Sequence, residues 1–238
     1  MSETFDPAAY PRRLNLGCGF DHRDGYLNVD FQDFHSPDLV ADVRDLAMLP
    51  DGYYDEIVAQ DVLEHLYRHD VGRTLEEWAR LLAIGGTLVL RVPDVIGVAR
   101  LLSVHRSLEM QHTLVQNLFG TQAYTGDYHH VGFTEMTLRA ALSDAGFGIQ
   151  SLVHRDEWLF DAVAERLEQP RPADFDDLRF MDLCLPAEEG TSNAVSLQGP
   201  VGLGVVPPSN PVRVVAERAR SVMSGARRWI GQRAGLRS

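Results

Sequence analysis

The sequence contains no lysine: all 22 basic residues are arginine. That excludes a Schiff-base lysine and a phosphate loop of the P-loop type. Cysteine is almost as scarce. Cys18 and Cys184 are the only two, without metal-type spacing and too few for a disulfide framework. No apolar run approaches the roughly 20 residues that a membrane-spanning helix needs. The first residues, MSETFDPAAYPRR, lack the basic-then-apolar order of a secretory leader. A soluble, cytoplasmic protein is therefore expected. Positive charge is also in deficit. The net charge is −12, which argues against a nucleic-acid partner gripped through its phosphates.

What is present is the composition of a packed domain, 45% hydrophobic and 24% charged over 238 residues. Apolar runs at 12–17, 25–31, 37–42, 54–60 and 86–93 have few alternating polar positions, as strands covered on both faces do. Helical stripes lie between and after them. One covers 71–82 and is closed by Gly85 and Gly86. A second covers 95–119. A third opens at the cap Thr134 and closes at Gly146. Residues 147–154 read as a further strand. This alternation predicts an α/β fold with a doubly wound, Rossmann-like, mostly parallel sheet and a ligand at the strands' carboxyl ends.

From about residue 155 the pattern loosens into acidic, proline-punctuated sequence. Residues 155–211 are expected to form a loop-rich insertion within a domain spanning 1–216. VRVVAER, 212–218, reads as a last strand. Residues 212–238 carry seven arginines against one glutamate, a net +6 that leaves −18 on the rest. Within 217–238, Ala219, Val222, Met223, Ala226, Trp229 and Ile230 form one helical stripe. This helix is expected to pack on its own domain or on a second subunit, as in a homodimer. The sharper reading lays it on an anionic membrane surface or an acidic partner.

The chemistry starts in LNLGCGFDHRDGYLNVD, residues 14–30. Gly17 and Gly19 let the turn after strand one approach a ligand closely. A dinucleotide fingerprint would place glycine at position 22, where His22 stands, and this weakens an NAD reading. Cys18 sits between glycines where a small side chain is needed. No paired base makes it a nucleophile. Asp30 ends strand two, where a carboxylate can accept from ribose hydroxyls. Asp42 ends strand three and can read the amino edge of an adenine, a role Asp45 takes if the register slips. Gln60 and Asp61 end strand four and lead into Glu64 and His65, which are expected to orient the loop beneath the ligand.

LNLGCG, NVD, AD, DEIVAQDVLEHL and GGTLVLRVPD, in this order, resemble the class I S-adenosylmethionine-dependent methyltransferases, most closely small bacterial members with GCG…GY.NVD and a VLEH turn. The resemblance covers roughly residues 12–150. It implies S-adenosylmethionine as the cofactor. Gly17, Cys18 and Gly19 would run beside its methionine part, and Asn15 belongs to the same binding set. Asp30 would hold the ribose and Phe31 flank the adenine. Asp42 and Val43 would contact the ring, and Gln60 and Asp61 would pass near the methionine moiety. The chain departs from the family between Gly19 and strand two, where the usual first helix must shrink to a turn or vanish. Arg23 is offered as a substitute for that helix's dipole.

The family usually closes the region of residues 124–130 over the acceptor. His129 or His130 is the expected general base, with Asp94 a second acceptor-side candidate. Asp94, Asp127, His129 and His130 could supply ligands to a divalent metal, but no spacing demands one and none is expected. An acidic surface fits a small-molecule or glycan acceptor. The expected reaction is O-methylation of a hydroxyl on a sugar, a polysaccharide precursor or a secondary metabolite. The alternatives are an N- or C-methyltransferase and a non-catalytic cofactor-binding interaction protein.

Overall fold

A computed structural model describes residues 6–175. In chain order the elements are β1 (Arg13–Leu16), β2 (Leu27–Asp30), β3 (Leu39–Val40), β4 (Tyr54–Gln60), α1 (Val71–Leu81), β5 (Leu82–Pro93), α2 (Val95–Val104), α3 (Leu108–Phe119), α4 (Glu135–Asp144), β6 (Phe147–Arg155) and β7 (Leu159–Arg166). They build one seven-stranded sheet of order β3-β2-β1-β4-β5-β7-β6. The first five strands are parallel; β7 runs antiparallel to both β5 and β6. The chain winds outward from β1 in both directions. The switch point lies between β1 and β4, and ligands of such sheets bind outside the strands' carboxyl ends there.

The apolar character of the strands has its reason in burial. All four residues of β2 are buried, and so are three of the four in β1. Helix α1 presents Val71, Leu75 and Trp78 to this core. Trp78 is fully buried, and its indole N–H donates to the Val43 carbonyl at 3.0 Å, which ties α1 to the segment after β3. Helices α2 and α3 build a smaller cluster around Val98, Leu101 and Leu114. Helix α4 is capped by Thr134, as expected, in a reciprocal box with Thr137.

No helix joins β1 to β2. Polar side chains hold the connecting loop instead. Asn15 Nδ2 donates to the Asp21 carbonyl (2.7 Å) and to Asn28 Oδ1 (2.9 Å). Asn28 Oδ1 also accepts from Arg23 N (2.8 Å), and the Asn28 backbone and side-chain N–H groups both donate to Asp38 Oδ2 (2.8 Å each). The buried asparagines do the work of a missing helix, since each buried polar group needs a partner.

Four expectations change. Gly85 and Gly86 do not end α1; Leu82 passes straight into extended backbone, and both glycines lie in β5 at a register shift between Tyr54 and Glu56 of β4. The stripe at 95–119 is two helices, because His105 turns extended and Ser107 caps α3 through Met110 N. The third strand is two residues long rather than six. The loop-rich segment does not begin at 155, since β7 occupies an interior place in the sheet. Its buried face is Phe160, Ala162 and Ala164, whose small side chains give a weak signal. Cys184, the rest of the expected insertion from residue 176 to 211, the 212–218 strand and the 217–238 helix lie outside the described residues. Among the described residues no helix is long and apolar enough to cross a membrane.

Trp78→Ala removes both a large buried ring and the donor to Val43. A loss of about 3–5 kcal/mol is expected in urea unfolding; a loss below about 1 kcal/mol would mean that α1 does not depend on this anchor.

Candidate active site

The turn after β1 is shaped by two glycines. Gly17 has φ +61°, and a Cβ there would lie 2.6 Å from Val62 Cγ2, so the turn and the segment after β4 meet only because the side chain is missing. Gly19 has φ +50°, and a Cβ there would meet no protein atom within 4 Å. The backbone therefore borders open space at the switch point, a cradle that fits a small ligand running past it. Cys18 is buried, its Sγ donates to the Gly19 carbonyl at 3.5 Å, and burial pushes its thiol up to about 12. It stays protonated and is no nucleophile.

Asp30 closes β2 with a buried carboxylate. Oδ2 accepts from Gly19 N (2.9 Å) and Oδ1 from Gln32 N (2.8 Å), with His35 Nδ1 3.0 Å from Oδ1. Phe20, Phe34 and Tyr124 pack around His35, while Phe31 stands about half exposed beside them. At the end of β4, Gln60 Oε1 accepts from Arg23 Nη2 at 2.8 Å. Arg23 thus does reach the crevice side of the loop. Asp61 takes φ +58° and is chelated by the Arg91 guanidinium. Beyond β3, Asp42 is gripped by Arg44 through both oxygens, which holds its carboxyl below the usual range. Val43 is buried, its carbonyl spent on Trp78. Asn15, with both amide hydrogens committed, supports the glycine turn from behind.

The segment of residues 120–131 crosses from the β2 side to the β4 side. The Thr125 carbonyl accepts from Gln32 Nε2 at 2.8 Å, and Gly126 packs directly on the Phe31 ring. Further on, His130 N and Val131 N both donate to the Glu64 carbonyl, at 2.7 and 3.3 Å. The expected base pair His129–His130 divides here. The His129 ring turns inward against His65, 4.7 Å between centroids, and burial pushes its pKa down to about 4. His130 stays exposed, stacked on Tyr67 at 4.4 Å, with the nearly parallel Tyr128 ring 6.2 Å away. Asp94 does not join them through its side chain. Buried at 1% exposure, it caps α2 through Ile96 N (3.0 Å) and faces His154 Nε2 at 3.3 Å.

From sequence alone, Glu64 and His65 are expected only to orient the loop. The structure gathers Glu64, His65 and His129 so that one ligand-type atom of each lies within 4.8 Å of the others. A signal was present in VLEHL, where a carboxylate stands among apolar neighbours. Its partner His129 is 65 residues away and could not be assigned to it by spacing.

A model of the methyltransferase domain matches residues 14–90, which run from β1 through most of β5. The chain is similar to a solved S-adenosylmethionine-dependent methyltransferase from Methanosarcina mazei, with TM-score 0.50 and 19% identity over 66% of this chain and 92% of that one. It is also similar to a possible exported protein from Bordetella parapertussis, with TM-score 0.50 and 14% identity over 66% and 63% of the two chains. A 1,6-didemethyltoxoflavin-N1-methyltransferase from Burkholderia thailandensis, solved with 1,6-didemethyltoxoflavin and S-adenosylhomocysteine, follows at TM-score 0.45 and 14% identity, over 68% of this chain and 73% of that one. At these identities the two structures at TM-score 0.50 speak to the fold alone. No curated protein sequence matches the chain. Residues 14–90 thus match a methyltransferase domain by sequence, and the fold is that of the solved S-adenosylmethionine-dependent methyltransferase from Methanosarcina mazei.

Proposed function

We propose that the enzyme methylates a hydroxyl on a ring-shaped small molecule, a sugar unit, a polysaccharide precursor or a secondary metabolite, and that His130 takes the hydroxyl's proton. The observation that carries this reading is the exposed ring stack of Tyr67, His130 and Tyr128 beside the turn that follows β4. Flat apolar faces with a polar tip suit a ring that carries hydroxyls. An imidazole among them can serve as a general base.

When bound, S-adenosylmethionine supplies a methyl group on a sulfonium, whose departure leaves a neutral thioether. The chain's task is to place the acceptor in line and to remove one proton as the carbon–oxygen bond forms. Gly17, Cys18 and Gly19 line the methionine side. Asp30, whose Oδ2 keeps accepting capacity beyond its bond to Gly19 N, holds the ribose. Phe31 flanks the adenine, and Asp42 and Val43 border it. Gln60 and Asp61 border the methionine moiety. Arg23, anchored on Gln60, brings positive charge toward the cofactor's carboxylate. Asn15 and Asp94 are positioning residues: both Asn15 amide hydrogens are spent on the protein, and Asp94 Oδ1 caps α2 while Oδ2 faces His154.

Two measurements test this reading. Asp30→Ala is expected to weaken adenosylhomocysteine binding at least tenfold in calorimetry, about 1.4 kcal/mol; an unchanged dissociation constant would remove Asp30 from the ribose. A panel of sugars and phenols, scored by adenosylhomocysteine release and product mass, is expected to yield O-methyl products. With the best acceptor, His130→Ala should lower kcat by about 10²–10⁴-fold with a smaller change in KM. Products methylated only on nitrogen or carbon would overturn the hydroxyl assignment.

A further inference from the structure

Glu64 is the most unusual side chain in the described region. It is 1% exposed, and neither carboxylate oxygen has a hydrogen-bond partner. A buried carboxylate without a partner carries a large desolvation cost. Arg91, the cation that acts on it electrostatically, is committed to Asp61 through three hydrogen bonds.

The two histidines beside it are set up in the same way. His65 Nδ1 lies 3.2 Å from the Tyr128 carbonyl, and His129 Nδ1 lies 3.0 Å from the Asn117 carbonyl. A carbonyl oxygen can only accept, so each Nδ1 carries a proton and donates. Each Nε2 is then left with its lone pair. Imidazoles that ligate metal ions commonly donate from one ring nitrogen to a backbone oxygen and ligate through the other. The loop that carries His129 is tied to the turn that carries Glu64 and His65 by the two amide bonds to the Glu64 carbonyl. The three donors are therefore held together before any ligand arrives, and both histidines are only half buried, which leaves an approach.

We propose that Glu64, His65 and His129 form a binding site for one divalent cation. Two imidazoles and one carboxylate select a first-row transition ion such as Mn²⁺, Fe²⁺, Co²⁺ or Zn²⁺ over Mg²⁺ or Ca²⁺, which prefer all-oxygen shells. Three protein ligands leave open positions, so the ion can take a water or an acceptor hydroxyl. A hydroxyl bound to a divalent cation loses its proton more easily. This last role rests on the proposed O-methylation; the binding itself does not.

The test uses the untagged full chain, freed of metal with a chelator and titrated with MnCl₂ and CoCl₂ in calorimetry. Mn²⁺ electron paramagnetic resonance and Co²⁺ visible absorption report the ligand field. One ion per chain is expected, with Ca²⁺ at least tenfold weaker. Glu64→Gln and His129→Ala should each weaken Mn²⁺ binding at least tenfold and change the Co²⁺ spectrum. Far-UV circular dichroism checks that both variants fold. His129→Ala, in a half-buried loop, keeps the test decisive if Glu64→Gln does not fold. No stoichiometric ion in the wild type would overturn the site, as would wild-type affinity in His129→Ala. Metal binding without O-methyl products would sink the proposed reaction and leave the site standing; metal-independent O-methylation with no bound ion would do the reverse.

Discussion

A single buried carboxylate organises the crevice. Asp30 receives the Gly19 amide from the turn after β1 and the Gln32 amide from the turn after β2, and it faces the His35 ring. Both turns are irregular backbone, and without Asp30 each would leave an amide unanswered at the carboxyl end of the sheet. The same residue thus shapes the glycine turn, orders the aromatic group around His35 and presents the acceptor oxygen of the crevice. Two backbone N–H groups aimed at one carboxylate give charge-assisted bonds, stronger than neutral ones.

The loop between β1 and β2 shows how a family feature can be lost without loss of the fold. Where relatives of this class usually carry a helix, the chain carries ten residues fastened by Asn15, Asn28 and Asp38. A helix satisfies its own backbone; this loop borrows side chains from β1, β2 and the start of β3 to do so. The substitution brings Arg23 onto Gln60 and joins the first half of the crevice to the end of β4 by a side-chain bond.

Much of this architecture was legible because it is periodic. The buried strands β1, β2, β4 and β5 are near-continuous apolar runs, and Thr134 announced α4 by its position before a helical stripe. The glycine turn and Asp30 were legible from the order of short motifs. The failures share a physical cause: they depend on contacts distant in sequence. β7 hides because its inward face is Phe160 with two alanines. Asp94 ends a strand where a functional acid could stand, yet the N-terminus of α2 and His154 claim its oxygens. Nothing local to VLEHL shows that His129 will arrive beside it. Nor does the pair His129-His130 show which ring turns inward.

The segment of residues 120–131 is fastened at both ends of the crevice, to Gln32 and Phe31 on one side and to the Glu64 carbonyl on the other. It therefore acts as a crossbar between the turn after β2 and the turn after β4. A ligand that tightened one fastening would leave less entropy to lose at the other, and any such coupling would have to be reciprocal.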